Sequence, residues 1–304
     1  MRLQPLVLFA SAAFAASALV LSPVLAGAQT APSAPGVPVG TAHYTIVQAS
    51  DGKTVGSAEC TVGSLATGYQ IDSHGELKFA KFSYTFTNSN RLDGQLNIVR
   101  DQLSGAVNGA QVTFSLGSES TGREFQVSIE AAGKTTTNTF DRHQNSVLLA
   151  DLDPAAYTEM ALFALAQVPT AWVVVPKQNG LLVPANYQPE ADAHGTLQGQ
   201  AVLVHHASIA VSAQNGVAVE IYYTNDGSLL EADLPQQNFY VIHDGFKLDS
   251  RPTYQLPRGA GEPPPGDQSN QQPAPPSGRQ TPQPPQRYAV PQGSAQPQVQ
   301  PQMF

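Results

Sequence analysis

Residues 153–168 (DPAAYTEMALFALAQV) carry the clearest helical pattern in this chain, and they are apolar almost all the way round. Asp153 is a good N-cap, Pro154 suits the first helical position, and Pro169 stops the run. About 15 residues make a rod of roughly 22 Å. Glu159 and Gln167 are its only strongly polar members. A helix without a polar face has to be buried on most sides, so the rest of the domain must wrap around it as a container around a plug.

The material for that container is β. Short runs rich in Val, Ile, Thr, Tyr and Phe alternate with turn signals at Asp51-Gly52, His74-Gly75, Asn108-Gly109, Ala132-Gly133, Asn215-Gly216 and Asp226-Gly227. Such spacing predicts an antiparallel meander rather than βαβ crossovers. Phe82, Tyr84 and Phe86 share one strand face; Val217, Val219, Ile221 and Tyr223 share another. Leu77 and Phe79 are out of phase with Phe82, which predicts a bulge near Ala80-Lys81. Further strands are expected at 172–176, 181–187, 197–211, 228–234 and 238–243. The fold class expected is mainly β: an antiparallel curved sheet, a half β-barrel, around one apolar α-helix.

The two ends of the chain read differently. Residues 1–28 have the build of a signal peptide: Arg2, an apolar stretch from Leu6 to Leu21, and Ala26-Gly27-Ala28 as a small-x-small cleavage site. Pro23 interrupts the apolar run, so no membrane span is expected after cleavage. Leu25-Ala26-Gly27 begins a lipobox, but Ala28 stands where the lipidated Cys would be. A soluble periplasmic or secreted chain is therefore expected. Residues 29–40 form a Pro/Ala/Gly linker, 41–256 the β-rich domain, and 257–304 a Pro/Gln-rich tail expected to be disordered. A domain of about 215 residues buries roughly 70% of its unfolded surface. It has to do so without a disulfide, because Cys60 is the only cysteine; this thiol reads as buried and inert.

His43-Tyr44-Thr45-Ile46 runs into Asp51-Gly52-Lys53-Thr54-Val55-Gly56; one helix divides earlier from later strands; near the end comes Asp226-Gly227-Ser228-Leu229-Leu230-Glu231-Ala232. This order of features resembles the half β-barrels of periplasmic lipoprotein carriers and uncharacterised bacterial envelope families of similar architecture. The resemblance is topological and spans most of 42–246. It implies an incomplete barrel around a helix with an apolar concave face, where carriers of that class bind acyl chains. It implies no catalytic residue, and the missing lipobox Cys departs from the lipoprotein members.

No familiar catalytic signature is present: no Gly-x-Ser-x-Gly, His-Glu-x-x-His, phosphate-cradling glycine loop or Cys-x-x-Cys. His205-His206 is the best metal candidate, yet neighbours on a strand point to opposite faces and cannot grip one ion without a bulge. His43, His74, His143, His194 and His243 show no ligand spacing along the chain. Asp141-Arg142-His143 and Asp151-Leu152-Asp153 flank the entry to the helix as an acid/base possibility, with Asp153 as helix cap the simpler role. His243-Asp244-Gly245-Phe246 reads as a turn. No metal, cofactor or catalytic residue is assigned.

The candidate groove residues are Tyr157, Met160, Phe163 and Leu165 on the helix and Phe82, Tyr84 and Phe86 on the sheet; the same residues would also serve as core. Burying roughly ten methylenes of an acyl chain gains about 8 kcal/mol gross, less several for ordering, so micromolar lipid binding is physically reachable. Charged residues are 12% of the chain, the net charge is −8 and no basic cluster occurs, which argues against a nucleic-acid partner. The expected function is a non-enzymatic envelope protein holding a lipid or other apolar ligand. Two alternatives stand beside it. One is an interaction module whose tail docks an envelope partner through Glu262-Pro263-Pro264-Pro265 or Thr281-Pro282-Gln283-Pro284-Pro285. The other is a hydrolase with a dispersed site. Phe304 matches the terminal aromatic residue of outer-membrane barrels, but the Gln/Pro stretch before it is no amphipathic strand.

Overall fold

The computed structural model describes residues 36–79, 81–118, 122–213 and 216–252. The expected signal peptide, the linker before Gly36, the expected tail and Phe304 lie outside these residues. Eight strands come first: β1 (Gly40–Gln48), β2 (Thr54–Leu65), β3 (Gly68–Phe79), β4 (Phe82–Asp93), β5 (Ile98–Val107), β6 (Ala110–Ser118), β7 (Glu124–Ala131) and β8 (Lys134–Asp141). Each pairs antiparallel with the next. Then come β9 (Ser146–Leu148), the helix α1 (Pro154–Leu165), β10 (Thr170–Val175), β11 (Leu181–Pro189), β12 (Ala193–Leu197) and β13 (Gln200–Val211). The chain closes with β14 (Val217–Tyr223), β15 (Leu229–Leu234), β16 (Phe239–His243) and β17 (Phe246–Leu248).

β16 returns to pair with β1, Tyr44 opposite His243, and so joins the two halves of the chain into one sheet. Followed through its pairings, the sheet runs β8-β7-β6-β5-β4-β3-β2-β1-β16-β15-β14-β13-β11-β10-β9. β12 and β17 form a flap on the first half of β13. The sheet is curved and does not close: β8 and β9 are its two edges among the described residues. It is mainly β, antiparallel and wrapped around a single helix, as the apolar plug demands. Among the described residues no helix is long and apolar enough to cross a membrane.

Asp153 caps α1 by accepting from the Ala155 amide at 2.9 Å, and Pro154 follows it. The helix ends earlier than Pro169 implies. Gln167 adopts a left-handed φ of 55°, its amide bonds Ala164 O, and the Val168 amide bonds Phe163 O. That is a Schellman stop. Every residue from Pro154 to Phe163 is buried.

The expectation of a pure antiparallel meander needs one correction. β9 and β10 pair in parallel, Val147 opposite Val173, with α1 as the crossover between them. A helix that fills a container must enter and leave it, and a crossover is how the chain does both. The bulge expected near Ala80-Lys81 falls in part outside the described residues, Ala80 among them; on either side of it Phe79 pairs directly with Phe82 and the β3–β4 register runs without a shift. His74-Gly75 is no turn but the middle of β3, where the bare Gly75 backbone lies against the Phe86 ring; a Cβ there would stand 2.6 Å from Phe86 Cε1. The expected 197–211 strand divides at Gln198-Gly199 into β12 and β13.

Candidate functional site

The interior of the sheet is filled by the protein itself. Tyr157, Met160 and Phe163 are 0–1% exposed, and Tyr84 and Phe86 are 2–3% exposed. Phe82 is half-buried against the same core, beside Phe79. Six of the seven candidate groove residues are thus core, because the helix side chains occupy the space that an acyl chain would need. Phe86 also borders a concavity beside Gly75, and Leu165 faces an opening at the end of α1.

That opening is a cleft of about 560 Å³ at the C-terminal end of α1. Leu165, Val168, Ala207, Tyr187 and Tyr223 supply its apolar lining, and Glu190, Asp192 and His205 its polar rim. The Schellman stop creates the space: by turning the chain at Gln167 it leaves the last helical turn uncovered between β11 and β13. The volume falls within the range of small-molecule pockets.

The two histidines follow strand alternation. His205 Nδ1 lies 2.9 Å from Asp192 Oδ1 and its Nε2 lies 2.5 Å from Asn225 Oδ1. With oxygens of Asp192 and Asn225 as partners, both ring nitrogens are placed to donate, an arrangement that favours the protonated imidazole. The Asn225 and Asp192 hydrogen bonds raise its pKa against a smaller burial effect. His206 turns to the other face, stacks on Tyr222 at 4.3 Å and meets Glu220 Oε2 at 2.9 Å. Glu220 Oε1 accepts from Ser208 Oγ. The carboxylate, not the imidazole, is therefore the middle member of Ser208–Glu220–His206, and His206 is not placed to take the hydroxyl proton.

Deeper inside, α1 is tied to the sheet by a polar seam. Asp153 accepts from Ser73 Oγ at 2.6 Å and from Asn88 Nδ2 at 2.8 Å. Asn90 Nδ2 donates to Glu159 Oε1 at 2.5 Å. Asp101 is buried beside them at 1% exposure. Burial pushes the Asp101 carboxyl well above its ordinary value, the Asp153 charge adds to that, and Asn88 opposes it. Burial also raises Glu159 strongly, with Asp101 adding and Asn90 opposing. Asp153 is raised by burial against its three hydrogen bonds from Ser73, Ala155 and Asn88. The hydroxyl of Tyr187, which lines the cleft, is buried without a hydrogen-bond partner; burial and then Glu159 raise its pKa. Tyr187 thus stands between the open cleft and the acidic seam.

The other flagged groups have structural tasks. Asp151 Oδ1 accepts from Lys177 Nζ at 3.1 Å and Gln237 Nε2 at 3.0 Å. Arg142 donates to Ile98 O, and His143 stacks on Trp172 with centroids 3.7 Å apart. Asp244-Gly245 is the turn between β16 and β17. Cys60 is buried, and burial followed by the Asp153 charge drives its thiol far up. It borders a second, smaller cavity of about 190 Å³ with Tyr44, Thr158 and Val39.

Ser73, Asn88, Asn90 and Asp101 were not singled out by sequence reasoning, although a signal existed. Asn88 and Asn90 continue the parity of Tyr84 and Phe86, so period two already places them inside.

The architecture is that of an open, barrel-like β-sheet around a helix. No family model matches the chain, and no curated protein does. Among the solved structures that match the chain are two distant ones. A β-barrel-like protein of a domain of unknown function, DUF1849, from Brucella abortus is 10% identical; the match covers 70% of this chain and all of that one, with a TM-score of 0.47. A protein described as exported, with a YmcC-like fold, from Bacteroides fragilis is 5% identical over 68% of this chain and 94% of that one, with a TM-score of 0.25.

Proposed function

We propose that this is a non-enzymatic, exported envelope protein that holds the apolar part of a small amphipathic ligand in the cleft at the end of α1. The observation that carries this reading is the cleft itself: about 560 Å³, apolar at Leu165, Val168 and Ala207, and polar at Glu190, Asp192 and His205. An acyl or similar tail fits the lining, and the rim offers an imidazole and carboxylates to a polar head. The filled interior limits the ligand to this end of the helix. The signal-peptide character of residues 1–28 supports export to the periplasm or beyond.

The test is titration of the purified mature chain with a fluorescent acyl probe, comparing wild type with Ala164→Trp. Ala164 lines the cleft and is only partly buried, so an indole there fills the space without entering the core. Saturable binding that drops at least tenfold in the variant supports the reading. Absence of saturable binding, or equal binding by both proteins, overturns it.

A further inference from the structure

His43, Glu59 and His74 are far apart in sequence, with no ligand spacing between them. The sheet register brings them into one row. His43 on β1 is the direct cross-strand partner of Glu59 on β2, and Glu59 is the direct partner of His74 on β3. Their neighbours Tyr44, Ala58, Cys60 and Ser73 are buried, so alternation sets all three on the outer face. They line a concavity of about 470 Å³ there, together with Glu76, Thr87 and Asp244. The row continues at one end to Asp244, whose amide bonds His43 O and whose Oδ1 accepts from Thr45 Oγ1 at 2.8 Å.

We propose that His43, Glu59 and His74 form a binding site for a divalent transition metal, with Zn²⁺ the ion that the donor set suits. Two imidazoles and one carboxylate are a common zinc ligand set, leaving the fourth tetrahedral position to water. Adjacent strands are about 4.8 Å apart, so the two imidazoles stand two strand spacings from each other with the carboxylate centred between them. His43 Nδ1 is already 3.3 Å from Glu59 Oε2, with the His43 side chain 60% exposed. Among the described residues no three such donors converge on one point; binding an ion therefore takes a rearrangement of these side chains, which are exposed or half-buried on the outer face and free to change rotamer. Glu76 and Asp244 add negative charge around the concavity and hold the site attractive to cations. Lys78, the nearest cation along β3, is engaged by Glu76.

The test uses the mature chain without a histidine tag. Zn²⁺ is titrated by calorimetry, and Co²⁺ is titrated while its visible d–d bands are followed. One equivalent is expected to bind saturably, with Co²⁺ bands of tetrahedral intensity. His43→Ala and His74→Ala should each weaken Zn²⁺ binding at least tenfold, and Glu59→Gln should weaken it to a smaller degree. His205→Ala/His206→Ala should leave it unchanged. All these positions are surface or rim sites, and circular dichroism checks that each variant is folded. The proposal is overturned by absence of saturable Zn²⁺ binding, by binding that survives both His43→Ala and His74→Ala, or by loss only in the His205/His206 variant.

Discussion

Asn90 on β4 donates its side-chain amide to Glu159 in the middle of α1 at 2.5 Å, and both residues are buried, at 0% and 2% exposure. A helix with no polar face would otherwise be free to rotate inside an apolar container. This bond, with those from Ser73 and Asn88 to Asp153, fixes its rotation. Removing one partner strands the other in a low-dielectric interior. Glu159→Ala is expected to lower stability by about 1–3 kcal/mol beyond its cavity cost, because the Asn90 amide then has no acceptor. Glu159→Gln keeps an acceptor of the same shape without the charge, and should cost far less. Urea unfolding of the two variants checks the order; equal losses would refute it.

The acidic seam sets a pH dependence of unusual sign. Asp101, Glu159 and Asp153 all have folded-state pKa values above their ordinary values, chiefly through burial. A raised carboxyl pKa means that the folded state binds more protons than the unfolded one. The stability it contributes is complete below the unfolded values of about 3.9–4.3 and is lost as pH rises through the folded values. The urea midpoint should therefore rise on acidification from neutral pH toward the unfolded values, and the combined Asp101→Asn/Glu159→Gln variant should flatten that rise. A wild-type midpoint that falls steadily over the same range would contradict the account.

The plug and its container were legible because both rest on local patterns. The cap at Asp153, the apolar helix surface and the two-residue alternation of Phe82, Tyr84 and Phe86 each follow from nearest-neighbour chemistry. What escaped was information that exists only between distant strands. Strand parity turns Asn88 and Asn90 inward, but their partners on α1 are visible only once the helix is placed opposite β4. His43, Glu59 and His74 become a row only through the β1–β2–β3 register. The parallel β9–β10 pair was hidden because β9 is only three residues long, too short for periodicity to show. The cleft arises from a left-handed Gln167, a conformation that propensity would assign to Gly or Asn.

The Asp226-Gly227 turn illustrates how tightly a turn can be tied to the plug. Gly227 has φ +85°, and a Cβ on it would stand 2.8 Å from Leu162 Cδ2 and 3.3 Å from Leu165 Cδ2. Gly227→Ala meets both a strained backbone and an overpacked helix end, and should cost about 2–4 kcal/mol. Because Leu165 also lines the cleft, the variant should weaken acyl-probe binding as well. Gly109→Ala is the control: φ is also positive, at +84°, but nothing lies within 4 Å of the added Cβ, so only the backbone strain remains. Thermal unfolding that ranks Gly227→Ala no worse than Gly109→Ala would show that the packing against Leu162 is not limiting.

Near the end of the described residues Arg251 ties the chain back to the sheet. Arg251 makes a two-point contact with Glu231, Nε to Oε1 and Nη2 to Oε2, both at 2.8 Å, and lies over the Tyr240 ring at 4.9 Å. Glu231 on β15 is fully buried, so this guanidinium is what its carboxylate has been desolvated for. Arg251→Ala leaves a buried charge without its partner and should destabilise the domain by about 3–5 kcal/mol. Arg251→Lys keeps the charge but cannot form the planar fork, and should fall between the variant and wild type. The same logic fixes where the chain can be cut. A stop after Thr253 retains Arg251 and should preserve the unfolding midpoint of the longer chain, whereas a stop after Ser250 should match Arg251→Ala. Equal midpoints for the two truncations would place the stabilising contact elsewhere.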